Sequence, residues 1–129
     1  MAGTLTISTL SDGTNSTSAT NPIRGSARAW VEFNGSANPA VINNSYNVSS
    51  ITYNAAGYFT INFTTAFPNI YYCVVGGCNA SGSQMVAVCP NSNNSFLGQA
   101  PTTSACAILT ASYTAVASPV YVNVAFFSN

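Results

Sequence analysis

The side chains that could do chemistry in this 129-residue chain are few enough to take one at a time. Its charges are Arg24 and Arg28 against Asp12 and Glu32, with no lysine and no histidine. The commonest general bases are therefore missing, and serine and threonine, although abundant, have no base beside them in any recognisable motif. Asp12 and Glu32 could act as a glycosidase pair only if they stood about 5–10 Å apart across a cleft. One falls in a polar N-terminal segment and the other in an alternating, strand-like run, so that pairing is not expected. The reading is a non-enzymatic chain that needs no cofactor.

The cysteines are Cys73, Cys78, Cys89 and Cys106. Their spacing lacks paired Cys-x₂₋₄-Cys knuckles on two sides, and no histidine can complete a zinc site. Three readings stay open: buried thiols, one or more disulfides, and metal binding. Cys73, Cys89 and Cys106 sit in apolar stretches, where a free cysteine behaves as a small hydrophobe, and this favours buried thiols.

A binding site has more material. Arg28, Trp30 and Glu32 alternate with Ala27, Ala29, Val31 and Phe33, so they share one face of a strand. That face is either a ligand platform, with Trp30 stacking on a sugar between two ions, or a surface where Arg28 and Glu32 pair laterally and Trp30 covers a neighbour. Seven tyrosines, Tyr46 and Tyr58 among them, add candidates for an interface or carbohydrate surface. Such residues more often seal subunit contacts with the hydroxyl at the wet edge.

The elements that must position these residues read as short strands. Asn34-Gly35 marks a tight turn, with a second strand around residues 39–42. Residues 46–53 and 58–65 flank a four-residue loop at 54–57, and Phe59, Ile61 and Phe63 face opposite to Tyr58, Thr60 and Asn62. Further strands are expected at 70–75, 85–89, 106–113 and 120–127, with breakers at Pro68, Gly76-Gly77, Gly82, Pro90, Pro101 and Pro119. No window keeps a helical period. The fold class is all-β, a single antiparallel β-sandwich or jelly-roll over residues 25–129. Residues 1–24 form an extended N-terminal arm with one short strand around Leu5, Ile7 and Leu10. It is either a loose terminus or a segment that swaps onto a neighbouring subunit.

Only 3% of residues are charged, against roughly a quarter in ordinary soluble domains. Without a basic patch, nucleic acid and anionic membrane are excluded as electrostatic partners. A neutral surface also lacks the self-repulsion that keeps small proteins apart, which suits a fixed assembly. The first residues carry no basic, apolar leader pattern and nothing approaches the ~20 apolar residues of a membrane helix, so cytoplasmic synthesis is expected.

Three runs occur in order: Ala29-Trp30-Val31-Glu32-Phe33-Asn34-Gly35, Ser45-Tyr46-Asn47-Val48-Ser49-Ser50-Ile51, and Gly57-Tyr58-Phe59-Thr60-Ile61-Asn62-Phe63-Thr64. Together they resemble a segment of tailed-bacteriophage virion structural proteins, often described as tail-fibre-like, over roughly residues 1–75. The resemblance implies a β-sandwich module, commonly a homotrimer, assembled in the host cytoplasm and carried on the virion exterior. Its partners would be the major capsid protein or other virion proteins. One module is too small for an anchor and a fibre shaft. A head decoration or cement protein is therefore the expectation, and a tail-tip or fibre piece recognising host-surface glycan is the alternative.

Overall fold

The computed structural model describes residues 3, 5–19, 25–79, 100–111 and 116–128. Within them lie nine strands: β1 (Thr9–Ser11), β2 (Ser16–Ser18), β3 (Ala29–Asn34), β4 (Val41–Tyr46), β5 (Val48–Ala55), β6 (Tyr58–Phe63), β7 (Cys73–Asn79), β8 (Ala105–Leu109) and β9 (Tyr121–Phe127). They make a four-stranded sheet, β4-β3-β9-β7, a three-stranded sheet, β5-β6-β8, and a separate two-stranded sheet, β1-β2, all antiparallel.

The two larger sheets form a sandwich because each presents one apolar face. On β3 the inward set is Ala29, Val31 and Phe33, and on β9 it is Val122, Val124 and Phe126. Ile51, Phe59, Ile61, Phe63, Cys106 and Ile108 answer from the other sheet. Rings lock the layers together: Phe33 meets Phe59 edge-on at 5.1 Å, and Phe63 meets Phe126 at 5.0 Å. Phe67 stacks on Phe63 at 4.3 Å and closes one end with Tyr72. Aromatic pairs of this kind contribute about 0.5–1.5 kcal/mol each beyond their buried area. The described strands stand four on three in a sandwich-like, all-antiparallel arrangement.

Several boundaries differ from expectation for identifiable reasons. Asn34-Gly35 does not make a two-residue turn. Residues 35–40 loop between β3 and β4, with a cis bond at Asn38-Pro39, and the Gly35 N–H donates to Pro119 O at 2.9 Å instead. The β5–β6 loop is shorter than expected, two residues rather than four, with Gly57 at φ 72°. Gly76-Gly77 is no break, since both pair with β9 through Val124 and Asn123 inside β7. The strand expected at 85–89 lies outside the described residues, as does Arg24.

The N-terminal segment holds two strands rather than one. β1 and β2 close on themselves around Asp12-Gly13, so the strand finds its partner locally. The Asp12 carboxylate accepts N–H bonds from Asn15 at 2.7 Å and Thr14 at 2.9 Å, which hold its pKa below the ordinary value.

Candidate functional site

The outward face of the four-stranded sheet gathers most of the residues singled out in the sequence. Alternation turns Trp30 outward from the buried Ala29 and Val31, and register sets its neighbours: Tyr46 on β4, Ala125 on β9, then Val75 on β7. Trp30 is 36% exposed and Tyr46 58% exposed, and Val75 is open as well. The next row carries Asn44, Glu32, Asn123 and Gly77, and the one beyond it Val41, Asn34, Tyr121 and Asn79. Arg28 stands two residues before Trp30 and is exposed. The face is thus aromatic and aliphatic along its middle, with amides and Glu32 beside it, while Arg28 stands in a bend before β3 and lines the sandwich end.

Arg28 and Glu32 do not pair with each other. Four residues along a strand span about 13 Å, too far for a lateral ion pair. The Arg28 Nε donates to Ser128 O at 3.3 Å, while the Glu32 carboxylate has no hydrogen-bond or ion-pair partner among the described residues. Tyr58 does not join this face, since it lies on β6 in the opposite sheet, beside Ala55 and Leu109.

Two depressions flank the row. One, of about 410 Å³, runs between Trp30 and Val75 over a floor of Gly77, Asn123 and Ala125. The other, of about 530 Å³, lies at the sandwich end and is lined by Ser26, Arg28, Tyr46, Thr64, Thr65 and Pro68. Its wall depends on Asn47, a residue that sequence reasoning passed over. Asn47 sits in the left-handed region at φ 55°, at the corner between β4 and β5. Its amide donates to Arg28 O and Thr65 O, both at 3.1 Å, and its side-chain oxygen accepts the Thr65 N–H at 2.7 Å. One side chain thereby ties the start of β3 to the end of β6. Asn47→Ala loses all three bonds and keeps the unfavourable φ, and should lower stability by about 2 kcal/mol. Asn47→Gly should recover part of the loss by relieving φ, a difference readable in urea unfolding midpoints.

The cysteines divide by position. Cys106 is wholly buried, and burial pushes its thiol up to about 11, against an ordinary value of 9.0. Tyr72 stands beside it, its phenol raised first by burial and then by Cys106, and its hydroxyl is shared between Thr102 O at 3.1 Å and Ala105 O at 3.2 Å. Cys78 is half-buried against the core, and burial raises its thiol too. Cys73 corrects the expectation of burial: it is exposed, in phase with Val75 on the outward side of β7. Cys73 and Cys106 are free thiols, and Cys89 lies outside the described residues. Alkylation of the native protein near pH 8, mapped by peptide mass spectrometry, should modify Cys73 readily. Cys106 should react only after unfolding, because it carries about a hundredfold less thiolate than an ordinary thiol and is shielded from reagent.

Among the described residues no three of Cys, Asp and Glu cluster as metal ligands. Asp12 lies in the turn between β1 and β2, already engaged by that turn, and Glu32 lies on β3 of a different sheet. What the face can do chemically is pack and stack, with the Glu32 carboxylate to orient what it meets. Comparison with family models, curated proteins and solved structures finds no match.

Proposed function

We propose that this chain is a non-enzymatic structural module of a bacteriophage particle, a head decoration or cement protein on the capsid exterior. The observation that carries this reading is the outward face of the four-stranded sheet, where Tyr46, Trp30 and Val75 stand exposed on a rigid sandwich with amide-bearing neighbours. Exposed aromatic and aliphatic side chains on a nearly uncharged body favour contact with other protein surfaces over life as a dispersed monomer. The three strand motifs that resemble phage structural proteins form β3, the β4–β5 corner and β6, which together carry and support that face. A decoration protein is present in many copies, so quantitative gel densitometry of purified particles should give a copy number comparable to that of the major capsid protein. A handful of copies per particle would overturn the reading.

The second depression favours an alternative, a tail-tip or fibre piece that recognises host-surface glycan. Its guanidinium, its exposed tyrosine ring and the hydroxyls of Thr64 and Thr65 are the groups that bind a sugar bearing an acidic substituent. On this reading soluble protein adsorbs to host cells and blocks infection, and failure of both would count against it.

A further inference from the structure

We infer that the depression at the sandwich end binds a sugar through a single carboxylate, held end-on by the Arg28 guanidinium. That ligand class deepens the glycan reading above, and rests on it for the sugar that carries the acid. Arg28 stands in a bend before β3, with its backbone held on both sides. Its N–H donates to Phe126 O at 2.8 Å, and its carbonyl accepts the Asn47 amide at 3.1 Å. Its Nε donates to Ser128 O at 3.3 Å, which restrains the plane of the guanidinium. The two Nη groups have no hydrogen-bond or ion-pair partner among the described residues. A guanidinium engaged through Nε keeps its end-on pair of N–H donors, and their spacing matches two coplanar carboxylate oxygens.

The groups around the cation suit the rest of a sugar. Thr64 and Thr65 line the same depression, and Asn47 takes both their N–H groups, through its carbonyl at 3.2 Å and its side-chain oxygen at 2.7 Å. Their hydroxyls have no partner among the described residues, and both residues are exposed. The exposed Tyr46 ring lines the depression too, and gives a pyranose a face to stack on. Asn47 thus fixes the cation and the hydroxyls before a ligand arrives, so little ordering cost falls on binding. The volume of about 530 Å³ lies within the roughly 300–1,000 Å³ of small-molecule pockets. Charge then decides the acid. Neither Asp12 nor Glu32 lines the depression, and Arg28 is the one cation among its described lining residues. One guanidinium balances a monoanion, whereas a phosphate ester carries nearly two charges at neutral pH and would leave one unpaired. A sulfate ester spreads its single charge over three oxygens and accepts more weakly than a carboxylate does with two.

Saturation-transfer difference NMR of the purified chain with D-glucuronate tests this, beside glucose, glucose phosphate and glucose sulfate. Glucuronate should take up saturation and the other three little. No signal from glucuronate, or one matched by any of the others, would overturn the proposal. Arg28→Gln should weaken glucuronate binding about tenfold or more, through loss of a charge-assisted contact. Arg28→Lys should recover only part of it, since lysine lacks the planar fork. Should changes at Arg28 unfold the chain, Tyr46→Ala and the double change Thr64→Val/Thr65→Val keep the test open. Both alter exposed groups, so their thermal melts should match the native chain while glucuronate binding weakens severalfold. Unchanged binding in both would refute the site. Adsorption to host cells separates the site from the glycan reading. Adsorption that survives Arg28→Gln counts against the site alone, and Arg28-dependent glucuronate binding without adsorption supports the site and counts against the glycan reading.

Discussion

Replacing Gly57 with alanine should lower the thermal midpoint of the sandwich by about 10–20 °C, the midpoint shift expected for a loss of about 3 kcal/mol in a domain of this size. Gly57 closes the β5–β6 turn at φ 72°, a conformation that costs an L-residue about 1–2 kcal/mol. The site is also walled in. A Cβ there would stand 2.6 Å from Thr110 O and 2.8 Å from Ala117 O, both backbone atoms, and 2.3 Å from a methyl of Val116. The backbone cannot give way cheaply, because the Gly57 N–H donates to Ser118 Oγ at 2.9 Å and its carbonyl accepts the Thr110 N–H at 2.8 Å. The buried Thr110 hydroxyl in turn donates to Ala117 O at 2.6 Å. Relief of the clash therefore breaks a network that joins the turn to residues 110 and 116–118. Differential scanning calorimetry reads the outcome, and an unchanged midpoint would show that the turn is more open than its geometry implies.

A loss of similar size is expected from Phe126→Ala. Phe126 is fully buried on β9, with Phe63 at 5.0 Å, Tyr72 at 6.0 Å and Phe67 at 6.4 Å. Its ring is where the four-stranded sheet meets the aromatic end of the three-stranded one. Truncation leaves a cavity whose lining rings cannot all close inward, and costs about 3–5 kcal/mol. Tyr71→Ala is the matched control: that ring is 85% exposed, and its loss should change stability by no more than about 0.5 kcal/mol. Chemical unfolding of the two variants beside the native chain separates core from surface. Equal midpoints for the pair would contradict the assigned core.

Legibility in the sequence followed the type of signal. Strands β3 and β6 could be read because Ala29, Val31 and Phe33, and then Phe59, Ile61 and Phe63, alternate with polar neighbours, and burial on one face of a sheet enforces that alternation. β9 was legible for the same reason. The reading failed where a partner strand overrode a local preference. Gly76-Gly77 has the composition of a break, yet its ladder to β9 holds it extended. Asn34-Gly35 has the composition of a hairpin turn, yet the Gly35 N–H is claimed by Pro119, far away in sequence. The face bearing Trp30 and Glu32 was legible from period two alone, whereas Arg28 stands in a bend before β3, and Tyr46 joins the face through a β3–β4 register that no local pattern encodes. Asn47 was illegible: one asparagine among many carries no mark of the corner it holds.

The contact between Gly35 and Pro119 bears on how the molecule ages. Asn34-Gly35 is the one Asn-Gly pair in the chain, the dipeptide most prone to spontaneous deamidation. That reaction requires the glycine nitrogen to swing onto the asparagine side-chain carbon and close a five-membered imide. Here the nitrogen is held by Pro119 O at 2.9 Å, and the Asn34 side-chain oxygen accepts the Ser36 N–H at 2.9 Å and the Ser36 hydroxyl at 2.7 Å. The glycine itself is pressed against the Phe59 ring, where a Cβ would stand 2.9 Å from the ring edge. Both reactants of the slow clock are clamped apart, so the folded chain should keep its asparagine through long storage while the unfolded chain loses it.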